Sequence, residues 1–353
     1  MKEVTLTIDG KEVKATTDMT ILDVAKREGI DIPTLCYDKR LPKQGSCRIC
    51  VVEVEGARTL SASCVTPVCE GMKVHTNSER VKRARQMIMK LILSNHPLDC
   101  FICDRNGDCE LQDLTYKLGV RSVSFNQENR ELPIDALNNP FIFRDFNKCV
   151  LCGRCVRVCS EVQMNEILSP KYRGHDAIPG VEFDKGLEFS NCVFCGQCVS
   201  VCPVGALVGQ VKIAKARAWD LKKVKTICPY CGVGCELVLN VHNNEIIKVD
   251  SDEDSVVNKG NLCIKGRFGF EFVNSNERLT DPLIKEGGEF RKASWDEALD
   301  LVASNLKRVK EINGPDAIAG LSSAKATNED NYLFQKFMRA VIGTNNVDHC
   351  ARV

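Results

Sequence analysis

The residues in this chain that could do chemistry are dominated by cysteine, with 21 in 353 residues, and 19 of them fall into five groups. Cys36, Cys47, Cys50 and Cys64 are spaced C-x10-C-x2-C-x13-C, and His96 precedes Cys100, Cys103 and Cys109 as H-x3-C-x2-C-x5-C. Cys149, Cys152, Cys155, Cys159 and Cys192, Cys195, Cys198, Cys202 both read C-x2-C-x2-C-x3-C, the second run starting 43 residues after the first. Cys228, Cys231, Cys235 and Cys263 read C-x2-C-x3-C-x27-C. Met1-Lys2-Glu3-Val4 opens neither a secretory nor a twin-arginine signal, so a cytoplasmic location is expected. Disulfides are rare there, and regularly spaced cysteines are better read as metal ligands.

The first group, with Gly45 beside its central pair, suits an iron–sulfur cluster whose sulfides need close backbone approach. A zinc site is the other chemistry four such cysteines serve. The spacing departs from the plant-type C-x4-C-x2-C and resembles the [2Fe–2S] domain of respiratory complex I and of iron-only hydrogenases. In the second group three cysteines leave a [4Fe–4S] cluster one ligand short, and His96 is the natural fourth, although a single histidine is normally a core or surface residue. The same two families carry such a motif of one histidine and three cysteines. Neutral imidazole in place of a thiolate should raise that cluster's potential.

The third and fourth groups resemble the paired runs of bacterial ferredoxins, in which the fourth cysteine crosses to the other cluster. The resemblance implies one [4Fe–4S] set of Cys149, Cys152, Cys155 and Cys202 and another of Cys192, Cys195, Cys198 and Cys159. Pro203 follows the second run as that motif expects, while Ser160 replaces proline after the first. The fifth group, continuing as Ile264-Lys265-Gly266-Arg267, resembles the first [4Fe–4S] domain of molybdopterin bis-guanine-dinucleotide oxidoreductases. That resemblance makes Lys265 an electron relay between cluster and pterin, against the plainer role of a surface lysine. Cys69 has no place in a group and is expected to be a buried or idle thiol.

Asn345 to Val353 resembles the segment of formate dehydrogenases that precedes the metal-bound selenocysteine or cysteine. The chain is therefore expected to be part of a larger protein interrupted at a UGA codon, with Cys350 structural or beside the metal's ligands but not itself the metal ligand, and no formate turnover by these residues alone. Resemblance covers the whole chain and implies the iron–sulfur electron-transfer part of a molybdenum- or tungsten-dependent formate dehydrogenase. It would carry one [2Fe–2S] and four [4Fe–4S] clusters, with Mo- or W-bis-molybdopterin guanine dinucleotide only at full length. The implied route runs from Lys265 and the Cys228 cluster to the ferredoxin pair, then to the His96 and Cys36 clusters. Flavin- and NAD-binding iron–sulfur subunits or a ferredoxin are the implied acceptors of electrons from formate. A non-catalytic carrier subunit of complex I or of a hydrogenase complex is the rival reading.

The elements that must position these groups point to a multidomain α+β chain. Val4, Leu6, Ile8 and Val13 alternate around Asp9-Gly10 as a hairpin, and Ile21, Leu22, Val24 and Ala25 recur at helical spacing before Gly29. Hairpin, helix and cysteine loop predict a β-grasp [2Fe–2S] ferredoxin domain over residues 1–77. A helix over Ser78–Ser94, with Val81, Ala84, Ile88, Leu91 and Ile92 as its apolar stripe and a basic opposite face, opens a helical [4Fe–4S] module over 78–120. The repeated runs give a two-cluster ferredoxin domain over 138–210. The charged stretch Lys212–Lys225 leads into a molybdopterin-oxidoreductase [4Fe–4S] domain over 221–277. An incomplete molybdopterin-binding α/β domain follows over 278–353, with a capping box at Ser294 to Glu297, a buried strand over Asp316–Leu321, and a helix from Thr327 to Gly343. Net charge is +1 with both signs interspersed, which excludes nucleic acid as a partner, and no apolar run approaches the roughly 18 residues of a membrane span.

Overall fold

A computed structural model describes residues 2–123, 125, 131, 132, 134, 139–210 and 216–350. Lys212 to Lys215 and Ala351 to Val353, part of two segments singled out above, lie outside the described residues. The chain divides into two compact units, Met1–Lys222 with Asn240–His242, and the remainder.

The first unit opens with the expected hairpin. β1 (Glu3–Ile8) pairs antiparallel with β2 (Lys11–Thr16), and Ile8 opposite Lys11 leaves only Asp9 and Gly10 to turn. Both have positive φ, 49° and 83°, as a two-residue turn matched to strand twist requires. α1 (Ile21–Arg27) starts at a reciprocal capping box between Thr20 and Asp23. It buries Ile21, Leu22, Val24 and Ala25 against Leu6, Ile8, Val52 and Val74, at about 1.5–3 kcal/mol for each large apolar side chain. β3 (Val51–Val54), β4 (Ser61–Ala62) and β5 (Lys73–His75) complete a five-stranded sheet of order β2-β1-β5-β3-β4. β5 runs parallel to β1, so the chain's return strand ties the cysteine loops to the opening hairpin.

α2 (Glu79–Leu93) forms where predicted, but its buried row is Val81, Arg85, Met89 and Leu93. Leu91, placed on the apolar stripe by periodicity, is 50 % exposed, and Ala84, Ile88 and Ile92 are only half-buried. The helix turns this way because Arg85 Nη2 donates to the Val51 carbonyl at 2.8 Å, sinking a charged residue of the supposed outer face against β3. α3 (Glu110–Lys117) follows directly on Cys109.

β6 (Ile142–Arg144) pairs with β9 (Leu207–Gly209), and β7 (Ser169–Lys171) with β8 (Ile178–Gly180), framing α4 (Arg154–Arg157) and α5 (Gln197–Ser200). The sequence repeat is a backbone repeat. Leu151 and Phe194 take φ of 53° and 49°, and Gly153 and Gly196 both take 69°. A left-handed non-glycine costs roughly 1–2 kcal/mol. Both runs accept it, because the turn aims the Leu151 and Phe194 N–H groups at the sulfurs of Cys149 and Cys192, each at 3.4 Å.

β10 (Lys222–Ile227), β11 (Glu236–His242) and β12 (Glu245–Ser251) form a sheet in that order, followed by α6 (Ile264–Phe268). β13 (Leu283–Glu286) and β14 (Glu289–Lys292) make a hairpin before α7 (Trp295–Asn313). Ser294 caps α7 through Glu297 N–H, but Glu297 pairs with Arg291 rather than closing the predicted box. The strand expected over Asp316–Leu321 is only β15 (Gly320–Ser322), preceded by a tight turn at Pro315–Ala317, and Leu321 is 80 % exposed. α8 (Asn328–Lys336) begins at Thr327 as expected, and its continuation ends at Gly343, φ 93°. β16 (Val347–His349), not foreseen, pairs parallel with β15.

Candidate metal centres

The β3–β4 region and the loop before it bring Cys36, Cys47, Cys50 and Cys64 together in two pairs. Cys50 and Cys64 sulfurs lie 3.4 Å apart, and Cys36 and Cys47 hydrogen-bond to each other. The hydrogen bond from Cys47 takes the Cys36 thiol down to about 5, and that from Cys64 takes Cys50 down to about 6, while each partner is pushed up. Gly45, φ 67°, passes so close to Val65 that a Cβ there would sit 3.1 Å from its methyl. Lys43, in the same loop, reaches Asp23 and Thr20 at the start of α1, tying the loop to the helix.

His96 follows α2 and is buried, which lowers its imidazole to about 4 and keeps it neutral at physiological pH. Its Nδ1 has no hydrogen-bond partner, an orphaned acceptor in the state needed to ligate iron. Lys148 faces both His96 and Cys103, and Cys103 faces Cys100 and Cys109. Burial pushes the Cys100 and Cys109 thiols up. Gly205 lies against this group, where a Cβ would meet Cys103 Sγ at 2.8 Å.

The two repeated runs interlock. Cys202 faces Cys152 and Cys155, and these with Cys149 line a cavity of about 230 Å³. Cys159 faces Cys192 and Cys198 instead, and with Cys195 they line a second cavity of about 20 Å³. Burial pushes Cys152 up to about 12 and raises Cys155 and Cys198 as well. Such thiols are poor thiolates alone and good ones once iron supplies the charge. Among the described residues no three or more His, Cys, Asp or Glu side chains close on a site for a single metal ion.

In the second unit Cys228, Cys231, Cys235 and Cys263 face one another, and Cys228 N–H donates to the Cys235 carbonyl at 2.8 Å. Gly266 stands 3.7 Å (from its would-be Cβ) from Cys228 Sγ, and Lys265, beside it on α6, is exposed. Cys69 is exposed, which corrects the buried alternative, and Cys350 Sγ lies 3.5 Å from the Ser323 hydroxyl.

Cysteine spacing gives no hint of the arginines. Arg157 Nη2 donates to the carbonyls of Cys36 at 2.6 Å and Cys152 at 3.4 Å, and Leu41 packs on Val158 and Val201. Arg105 donates to the Cys202 carbonyl at 3.2 Å, and Arg154 pairs with Glu110, next to Cys109. The Cys149 set therefore touches the Cys36 loop on one side and the His96 module on the other. The signal available in sequence was an arginine lodged between ligand cysteines, a place where a merely solvated charge has no reason to be.

Family models match the chain segment by segment. They are a 2Fe-2S iron-sulfur cluster binding domain over residues 1–79, the NADH-ubiquinone oxidoreductase-G iron-sulfur binding region over 85–124 and a 4Fe-4S dicluster domain over 148–206. The molybdopterin oxidoreductase Fe4S4 domain follows over 221–275 and molybdopterin oxidoreductase over 278–353. The chain is 43 % identical to the NADPH-Fe(3+) oxidoreductase subunit alpha of Geobacter sulfurreducens, over 99 % of its own length and 40 % of the relative's. An NADH-quinone oxidoreductase subunit of Rhizobium meliloti is 41 % identical over 98 % of this chain and 40 % of that one. A Bacillus subtilis protein named "Putative formate dehydrogenase YrhE" is 37 % identical over 100 % of this chain and 40 % of that one. The chain thus spans about two fifths of the length of these relatives. Among solved structures, NAD+-reducing [NiFe]-hydrogenase matches with a TM-score of 0.57 at 30 % identity, over 60 % of this chain and 90 % of that one.

Proposed function

The chain belongs to the molybdopterin oxidoreductase family as an iron–sulfur electron-transfer module, and on that premise we propose that it conducts electrons between a molybdenum or tungsten pterin site oxidising formate and NAD-linked subunits. The observation that carries the proposal is the set of separate cysteine sites within one chain, followed by residues matched to the molybdopterin fold. Cys36 with Cys47 would hold one iron of a [2Fe–2S] cluster on a β-grasp scaffold, and Cys50 with Cys64 the other. His96 with Cys100, Cys103 and Cys109, the two crossed ferredoxin sets, and Cys228 with Cys231, Cys235 and Cys263 would each hold a [4Fe–4S] cluster.

Bound clusters supply one-electron carriers, which a two-electron oxidation of formate to carbon dioxide requires if its electrons are to leave singly. The protein's part is to hold them. Buried thiols such as Cys50, Cys155 and Cys202 would keep water from their clusters, N–H groups of Leu151 and Phe194 point at the sulfurs of Cys149 and Cys192, and the neutral imidazole of His96 would make its site less negative than an all-thiolate one. Lys265 is proposed as the relay toward the pterin. Formate as substrate is supported by the Asn345–Cys350 segment and by the names of several relatives.

Iron and acid-labile sulfide analysis of the anaerobically reconstituted chain should give about 18 iron atoms, the sum of one [2Fe–2S] and four [4Fe–4S] clusters. A protein lengthened to the span of its relatives should contain molybdenum or tungsten, and formate should bleach its cluster absorbance. Iron without either metal, and clusters reduced by NADPH or NADH but not by formate, would instead favour a carrier subunit like the quinone- and Fe(3+)-reductase relatives.

A further inference from the structure

Arg154 stands between two proposed ligands, Cys152 and Cys155, with a side chain only 7 % exposed. Its Nη1 and Nη2 donate to the two carboxylate oxygens of Glu110 at 2.6 and 2.8 Å, whereas its Nε–H is buried with no protein acceptor. Glu110 directly follows Cys109, and its backbone N–H donates to the carbonyl of Pro203, beside Cys202, at 2.9 Å. One ion pair therefore links the His96 set to the Cys149 set. The pair is asymmetric, since the Glu110 side chain is 43 % exposed and meets water while the guanidinium stays inside. The carboxylate of Asp38, the other acidic group in the field of Arg154, is held by Arg40 at 3.1 Å.

We propose that Arg154 is a positioning residue that raises the reduction potential of the cluster held by Cys149, Cys152, Cys155 and Cys202, and that Glu110 sets how much of its charge that cluster feels. The inference rests on the ligand set proposed above. A cluster becomes more negative when it takes an electron, so a fixed cation in a site of low dielectric favours the reduced form. The guanidinium lies in the field of Cys152, so its charge acts on the site through that thiol. Glu110 opposes it by neutralising the guanidinium.

The test is an EPR-monitored dithionite titration of the full reconstituted chain and of Glu110→Gln, Arg154→Lys and Arg154→Met. Glu110→Gln should move one [4Fe–4S] midpoint upward, and Arg154→Met should move the same midpoint downward. Arg154→Lys should fall between wild type and Arg154→Met, keeping the charge but losing the two-pronged pairing with Glu110. A merely structural pair would lower cluster occupancy without opposed shifts. Midpoints unmoved in Glu110→Gln and Arg154→Lys, or moved the same way in Glu110→Gln and Arg154→Met, overturn the inference. If Arg154→Met loses its cluster, the other two variants decide. A wild-type chain with well under about 18 iron atoms would sink the ligand assignment instead, so the two failures are told apart.

Discussion

His96 is where a single residue carries the most chemistry. Burial lowers its imidazole to about 4, and Nδ1 is left without a partner, so the side chain is neutral and available. His96→Ala should cost about four iron atoms per chain and one EPR signal. His96→Cys should keep the cluster but lower its midpoint, because a thiolate restores the negative charge that imidazole omits; an unchanged midpoint would remove histidine from the ligand set. The crossing of Cys159 and Cys202 is testable without assigning any spectrum. Cys149→Ala with Cys202→Ala strikes one proposed site and should lose about four iron atoms, whereas Cys192→Ala with Cys202→Ala strikes two and should lose about eight. The reverse pattern, about eight lost in the first and about four in the second, would undo the crossing. The proposed ligands and their spacings were legible in the sequence because a cluster would demand them locally. Arg105, Arg154 and Arg157 were not, because their work is done on carbonyls and a carboxylate from 44 to 121 positions away.

At the scale of elements, local signals were read well where local physics decides and badly where a partner decides. The turn at Asp9-Gly10 and the helix starts at Ser294 and Thr327 depend on near neighbours and appear as expected, although Glu297 does not close the box on Ser294. The stripe of α2 did not, because Arg85 finds the Val51 carbonyl across the sheet and rotates the helix toward it. The α1 cap has a further consequence. Asp23 accepts from Thr20 and from Lys43 of the cysteine loop, and although burial pushes its carboxyl up, these hydrogen bonds hold it below its ordinary value. Asp23→Ala should therefore cost about 1 kcal/mol as a lost cap and also loosen the loop of Cys36 and Cys47. Faster loss of the [2Fe–2S] absorbance to a chelator is the expected readout, and a melting shift with unchanged iron release would separate the cap from the loop. Gly205→Ala tests the seam between modules, since its Cβ would lie 2.8 Å from Cys103 Sγ. A sulfur held by iron has little room to retreat, so the expected result is loss of the His96-site cluster with the Cys36 site intact.

Over the whole molecule, the two units are built to different standards. The first buries a continuous core of Leu6, Ile8, Ile21, Leu22, Val52 and Val74 and holds the cysteines of its proposed sites buried or half-buried. In the second, the core cluster beneath α7 and α8 consists of Ile318, Met338 and Ile342, and α7 has no buried residue. Trp295, Leu299 and Val302 on α7 are 70 %, 57 % and 54 % exposed. The sequence announced the class of this region and the start of both helices, yet not how little they would bury, because burial is a property of neighbours rather than of a helix's own period. Helical stability in proteins comes mostly from packing an apolar face, and local opening follows wherever that packing is thin. Hydrogen exchange followed by mass spectrometry on the reconstituted chain should show α7 amides exchanging far sooner than those of α1 and α2, although α7 at 19 residues is longer than α2 at 15. In a protein extended to the length of its relatives, α7 should become as protected as α2. Equal protection of α7 in both forms would mean that its stability needs no further packing partner.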